Sequence, residues 1–344
     1  MNPTQQHLQN LKERLSASQT PTDVKERLLQ EFWRVETLIK SNSVSSEADK
    51  TIRFIEFCLS LPWDKDNKDI LDINRATQIL NKNHFGIDVV KERILEYLSI
   101  LVLNKQKNQK VTSNALFFVG LVGSGKTSLA YSIAESLGRP IIRIPFGGLG
   151  SASQLRGESR IKPEAEPGLI LKAISRAQFK NPVILLDELD RVTEEARADI
   201  MGVLVEILDP EQNMAFLDHY LDLSFDLSEV LFLATANNTN NISTAVLDRL
   251  ELIEMPFYSD EQKIIIGSKY LLPEAVKKAG LDQTILQIDP NLWSKIVRPL
   301  GFDGGIRSLN RTIESLVRKI AFEVVQGKTG PYIINEQNIE EYIK

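Results

Sequence analysis

Eight consecutive residues have the types and spacing to hold a phosphate: Gly120-Leu121-Val122-Gly123-Ser124-Gly125-Lys126-Thr127. They fit G-x-x-x-x-G-K-[ST], the P-loop pattern. The glycines let backbone N–H groups turn inward around phosphate oxygens, and the following helix N-terminus adds the positive end of its dipole. Lys126 can then reach the β- and γ-phosphates, and the Thr127 hydroxyl can ligate Mg²⁺. A second stretch, Val183-Ile184-Leu185-Leu186-Asp187-Glu188, is an apolar run ending in two carboxylates. Side chains alternate along a strand, so the two acids need not share one task. Asp187 is placed to hold the water shell of Mg²⁺, and Glu188 to polarise an attacking water as general base. A third apolar run, Leu231-Phe232-Leu233-Ala234-Thr235-Ala236, ends in Asn237. That asparagine either orients the water, touches the γ-phosphate or simply forms a turn.

The elements that must position these groups follow from pattern. Leu116–Val119 reads as a buried strand, and Leu129, Ile133 and Leu137 recur at helical spacing behind the loop. From 115 to about 257 strands and helices alternate. The strands are expected at Leu116–Val119, Ile141–Ile144, Val183–Leu186, Leu231–Ala234 and Leu252–Glu254. The helices are expected at 126–138, 168–178, 194–208 and 242–248. Such alternation predicts an α/β fold with a parallel sheet and helices on both faces, and ligands at the carboxyl ends of the strands. Residues 1–62 read as an amphipathic helical bundle. Leu8, Leu11 and Leu15 mark the first face; Leu28, Phe32, Val35 and Ile39 the second; Ile52, Ile55 and Leu59 the third. Thr20-Pro21 is expected to start the second helix and the polar stretch 41–46 to end it. The connector Asp64–Asp69 is charged, helices are expected at Asn74–Leu80 and Val89–Leu103, and Asn104–Thr112 reads as a solvated loop with three lysines. From 260 to about 326 the pattern is helical, with a short strand at Tyr332–Ile334. The boundaries expected are therefore 1–62, 63–258 and 259–344.

Bulk properties narrow the function classes. The 344 residues carry a net charge of −5, which disfavours a dedicated nucleic-acid binder. The single cysteine, Cys58, excludes an internal disulfide framework and fits a reducing compartment. There is no signal-peptide pattern at the polar N-terminus and no apolar run of membrane-spanning length, so a cytoplasmic location without membrane contact is expected.

Over nearly its whole length the chain resembles the AAA+ ATPase module of the Lon family of ATP-dependent proteases. The resemblance is carried by Lys126-Thr-Ser-Leu-Ala130, Asn181-Pro-Val-Ile-Leu-Leu-Asp-Glu188, Phe225-Asp-Leu-Ser228 and Leu247-Asp-Arg249, and most specifically by Leu208-Asp-Pro-Glu-Gln-Asn213 and Asp218-His-Tyr-Leu221. It implies ATP and Mg²⁺ as cofactors, with a C-terminal helical lid beside the α/β unit. Lys126 and Thr127 look like the Walker A pair, with Gly120, Gly123, Ser124, Gly125 and Ser128 in the same nucleotide cradle. Asp187 and Glu188 look like the Walker B pair, and Asn237 like the sensor-1 residue. Arg249 looks like an arginine finger acting on a neighbouring subunit's nucleotide. Arg307 looks like sensor 2, at the start of a lid helix. Composition alone does not single out these two arginines. His84, Phe85, Gly86 and Ile87 resemble the segment that holds adenine. Family members form six-membered rings and act on unfolded protein.

Two departures bear on function. The family's protease domain should follow the lid, whereas this sequence ends at Lys344, so no proteolysis is expected from these residues. Second, the family places an aromatic–apolar–glycine step in the loop after Arg156-Gly157, to grip polypeptide. This chain has Lys162-Pro163-Glu164 there, and no aromatic residue between Phe146 and Phe179. Ile161, or the loop around Met214 and Phe216, is the candidate substitute. The leading expectation is an ATP-hydrolysing module that unfolds or remodels protein. The alternative is a nucleotide-switched interaction or assembly protein that does not thread substrate.

Overall fold

A computed structural model describes residues 3–40, 46–107, 109, 114–298 and 305–343. Residues 41–45 of the expected polar break, residues 108 and 110–112 of the lysine-containing stretch, and residue 113 after it lie outside the described residues.

The strands are β1 (Ala115–Val119), β2 (Ile141–Pro145), β3 (Val183–Asp187), β4 (Phe216–Asp218), β5 (Leu223–Phe225), β6 (Leu231–Ala236), β7 (Leu250–Glu254), β8 (Leu286–Ile288) and β9 (Tyr332–Ile334). Five of them form the central sheet in the order β2-β3-β6-β1-β7, every pair parallel. Parallel strands need crossovers, and the helices in those crossovers cover both faces. The alternation of β1 shows the two faces. Leu116 and Phe118 join one buried cluster with Leu129, Ile133, Leu80, Ile94 and Leu98. Phe117 joins the other, with Ile174, Leu204, Ile207 and Phe232. Strands buried on both sides read as continuous apolar runs, which is what Val183–Leu186 and Leu231–Ala234 are. The helix Arg197–Leu208 begins three residues later than expected, after a short 3₁₀ turn at Leu189–Arg191.

The strand order matters for function. β3, β6 and β1 are neighbours, so Asp187-Glu188, Asn237 and the P-loop all emerge at adjacent carboxyl ends.

The N-terminal helices Pro3–Ala17, Thr22–Lys40 and Ser46–Ser60 do not close a separate core. Their apolar faces, including Leu11, Leu28, Phe32, Phe54 and Ile55, are continuous with the Phe117 side of the sheet unit. The antiparallel hairpin β4–β5, unforeseen from sequence, makes the joint. Tyr220 at its tip lies 6.0 Å from Phe54 and 5.9 Å from Phe57, ring to ring. The helices Ile73–Asn83 and Asp88–Gln106 lie on the opposite face.

The C-terminal region has its own buried cluster around Trp293, Leu309, Ile313, Leu316 and Ile320. It is not purely helical before residue 326: β8 pairs in parallel with β9. Its first helical run, Asp260–Ile266 and Leu272–Lys278, is interrupted by a π-turn at Gly267–Leu271. Gly267 sits there against Trp293, where an added Cβ would come within 2.6 Å of the indole. Single π-turns inside helices commonly mark functional positions; here the bulge turns Lys269, Tyr270 and Leu271 toward the cleft described next.

Candidate nucleotide site

A cleft of about 820 Å³ lies between the strand ends and the C-terminal helices. That is within the ~300–1,000 Å³ typical of small-molecule sites. Gly123, Gly125, Lys126, Thr127 and Ser128 form its floor, with Asp187, Glu188 and Asn237 beside them. His84 and Phe85 line one wall; Arg307, Ile306 and Asn310 line the lid side.

Lys126 opens the helix Lys126–Leu137, and the preceding Gly125 has φ +93°, a conformation glycine adopts without the steric cost other residues bear. The ammonium group donates to the carbonyls of Gly120 (2.6 Å) and Leu121 (2.9 Å) and to Asn237 Oδ1 (3.2 Å). Burial holds its pKa below the ordinary lysine value, against the raising influence of Asp190, Asp187 and Glu188. Asn237 Nδ2 donates in turn to Asp190 Oδ2 at 3.3 Å. The loop tip of β6 thus links the P-loop lysine to the acidic turn after β3.

Asp187 is almost wholly buried. Its Oδ1 accepts from Thr127 Oγ1 (3.4 Å) and from the Thr235 hydroxyl, and its Oδ2 accepts from Arg143 Nε (2.6 Å). Glu188 adopts left-handed backbone geometry, φ +61°. Its N–H donates to Thr235 Oγ1 (3.0 Å), and its carboxylate stands 3.4 Å from Arg191. The two carboxylates therefore face different partners, because the chain leaves β3 at Asp187 and turns left-handed at Glu188.

The donor chemistry suits Mg²⁺. A hydroxyl and a carboxylate oxygen stand side by side at 3.4 Å, both hard oxygen donors. Among the described residues no group of three or more His, Cys, Asp or Glu forms a cage. Mg²⁺ usually binds through one or two carboxylates plus substrate phosphates, so a cage is not required.

The remaining sequence candidates divide. His84 is buried, with Nε2 2.9 Å from Ser132 Oγ, and burial together with Lys91 pushes its pKa down to about 4. Gly86 (φ +67°) and Ile87 (φ +50°) turn the chain behind it and are not in the cleft wall; Ile87 is buried in the core. Gly120, close against Met255, and Ser124, which is buried, belong to the loop but do not line the cleft. Arg307 lines the cleft, and its helix is fastened to the loop by Ile306 N–H donating to Gly123 O at 3.0 Å. Arg249 is not brought to this cleft. Its Nε and Nη2 donate to Asp209 Oδ2 (3.1 and 2.8 Å), and Nη1 donates to Ala245 O.

Sequence reasoning missed Arg143, Tyr258, Lys269 and Tyr270, all on the cleft wall. An arginine within Ile141-Ile-Arg-Ile144 was the one available signal, since a charge inside an apolar strand needs a reason. Phe216 proves fully buried, so it cannot offer a gripping surface; Ile161, at 93% exposure, can.

A P-loop, an acidic strand end, a polar tip on the strand between them and a helical lid touching the loop define an AAA+ nucleotide-binding module. The family described as ATPase family associated with various cellular activities (AAA) matches residues 116–257, and the Lon protease AAA+ ATPase lid domain matches residues 277–332. The Lon protease of Lawsonia intracellularis (strain PHE/MN1-00) is 40% identical over 338 residues, covering 98% of this chain and 40% of that protein. Those of Heliobacterium modesticaldum (40% over 335 residues) and Nitrosococcus oceani (38% over 342 residues) cover 97% and 99% of this chain, and 40% and 43% of their own lengths. The chain belongs to the Lon family as an AAA+ ATPase module, and spans about 40% of the length of the curated relatives it matches. No helix among the described residues is long and apolar enough to cross a membrane.

Proposed function

We propose that this chain binds Mg²⁺·ATP in the cleft, hydrolyses it, and uses the cycle to move the lid against the α/β unit so as to unfold or remodel a protein substrate. The observation that carries the reading is the convergence of Lys126, Asp187, Asn237 and Arg307 on one cleft from three adjacent strand ends and the lid. In this reading Lys126 and the loop amides hold the phosphates, while Thr127 and the Asp187 water shell hold Mg²⁺. Glu188 polarises the water, and Asn237 and Arg307 report the γ-phosphate. His84 and Phe85 meet the base, with Gly86 and Ile87 shaping that wall. Arg249, parked on Asp209 away from its own cleft, completes the site of a neighbouring copy, which calls for a ring, six-membered by family analogy. The working units are 1–62, 63–258 and 259–344, and the setting is cytoplasmic.

A second reading, a nucleotide-driven switch without threading, is favoured by one loop. Ile161-Lys162-Pro163-Glu164 is its exposed tip. Arg160 ties that loop to the N-terminal helices, 2.9 Å from Glu31 and 3.7 Å over the Phe54 ring. Steady-state ATP hydrolysis with and without an unfolded protein separates the two. A motor speeds up with the unfolded chain; a switch turns over at an unchanged rate.

A further inference from the structure

Both oxygens of the Asp187 carboxylate are already engaged. Two hydroxyls occupy Oδ1, and the Arg143 guanidinium occupies Oδ2. The two ends of the ion pair differ sharply in exposure, 4% for the Asp187 side chain and 47% for Arg143. A carboxylate buried to that degree is unfavourable without a cation. Arg143 supplies one from β2, two residues before the position that pairs with Asp187 in register. Among the described residues Arg143 is the one cation bonded to Asp187, while the Lys126 ammonium is turned to the loop carbonyls and Asn237.

We propose that Arg143 is a resident counter-cation for Asp187 that Mg²⁺ has to displace, so that Arg143 sets how much Mg²⁺ the nucleotide site requires. The inference rests on the reading of Asp187 as the metal-facing carboxylate. Two cations drawing on one carboxylate repel each other. The one that yields is the guanidinium, because its half-exposed arm regains water on leaving. Arg143 is thus a positioning residue: it holds the carboxylate in place between metal-loading events, and lowers the apparent Mg²⁺ affinity in doing so.

The test is a titration of the whole chain with a fluorescent ATP analogue at stepped free Mg²⁺, with Arg143→Gln and Arg143→Lys beside the wild type. Arg143→Gln should shift the Mg²⁺ midpoint for analogue binding down by about fivefold, the ratio a half-exposed ion pair supports. Arg143→Lys, which keeps the charge, should stay near the wild-type midpoint. Thermal unfolding without Mg²⁺ should occur at lower temperature in Arg143→Gln than in wild type, and the gap should close when Mg²⁺ and analogue are added. A midpoint that stays put or rises in Arg143→Gln, with weaker analogue binding at every Mg²⁺ level, would overturn the proposal and place Arg143 on the phosphates. Wild-type binding indifferent to Mg²⁺ would instead remove Asp187 from metal binding altogether, and the proposal with it.

Discussion

At the scale of single residues, Asn237 holds the site together. It accepts from Lys126 and donates to Asp190, so the P-loop and the acidic turn share one amide. Glu188 is held in a left-handed conformation worth roughly 1–3 kcal/mol of strain, and the Thr235 hydroxyl is the partner that holds its N–H there. His84 is the residue with the clearest pH signature. Folding pushes its pKa from the ordinary 6.5 to about 4. The unfolded chain therefore takes up the proton first, and stability present above pH 6.5 is lost as pH falls from 6.5 toward 4. The total is about 3 kcal/mol. Unfolding midpoints measured across that window should fall less steeply in His84→Gln than in wild type. Parallel pH profiles would mean that His84 is not the group responsible.

At the scale of elements, strings that mark the family in the sequence turn out to be fastenings. Asn181 is buried and exchanges two 2.8 Å hydrogen bonds with the Asn67 backbone. Asp218 is fully buried and accepts from the N–H groups of Gly168, Tyr220 and Leu221, which binds the loop after Arg156-Gly157 to the β4–β5 hairpin. The connector 64–69, read from sequence as merely charged, is locked by Asp69 clasping Arg139 through two 2.7 Å bonds, both side chains buried. Asp69→Ala leaves that guanidinium uncompensated and should cost roughly 3–5 kcal/mol, read as a lower denaturant midpoint. A loss under about 1 kcal/mol would show that the pair is solvated in solution. The parallel sheet was legible in advance because doubly buried strands leave uninterrupted apolar runs. The hairpin and β8 were not: three-residue strands carry no period to detect, and the equally short β9 showed only because the run Tyr332–Ile334 stands beyond the end of the helical pattern. The P-loop and Asp187-Glu188 were legible from spacing. Arg143 was not, because its role arises only where β2 lies beside β3.

At the scale of the whole molecule, Arg249 is the informative residue. It sits on Asp209, outside the cleft its own chain forms, and its hydrogen bond is the main reason that the Asp209 pKa lies below the usual carboxylate value. If it serves a neighbour, Arg249→Ala should bind nucleotide normally and lose turnover by about 10³–10⁵, the range for such arginines. Mixing Arg249→Ala with Lys126→Ala protomers should then restore turnover, since mixed contacts pair an intact cleft with an intact arginine. Mixtures as inactive as either variant alone would place Arg249 outside the catalytic site of any copy. The most direct measurement is ATP turnover with Mg²⁺ by wild type, Lys126→Ala and Glu188→Gln, with nucleotide binding followed in the same samples. The predicted result is turnover in wild type alone, with Glu188→Gln still binding ATP but slowed by about 10²–10⁴, the general-base range. Undiminished turnover in Glu188→Gln would contradict the assignment of the attacking water to this carboxylate, and undiminished turnover in Lys126→Ala would contradict the site itself.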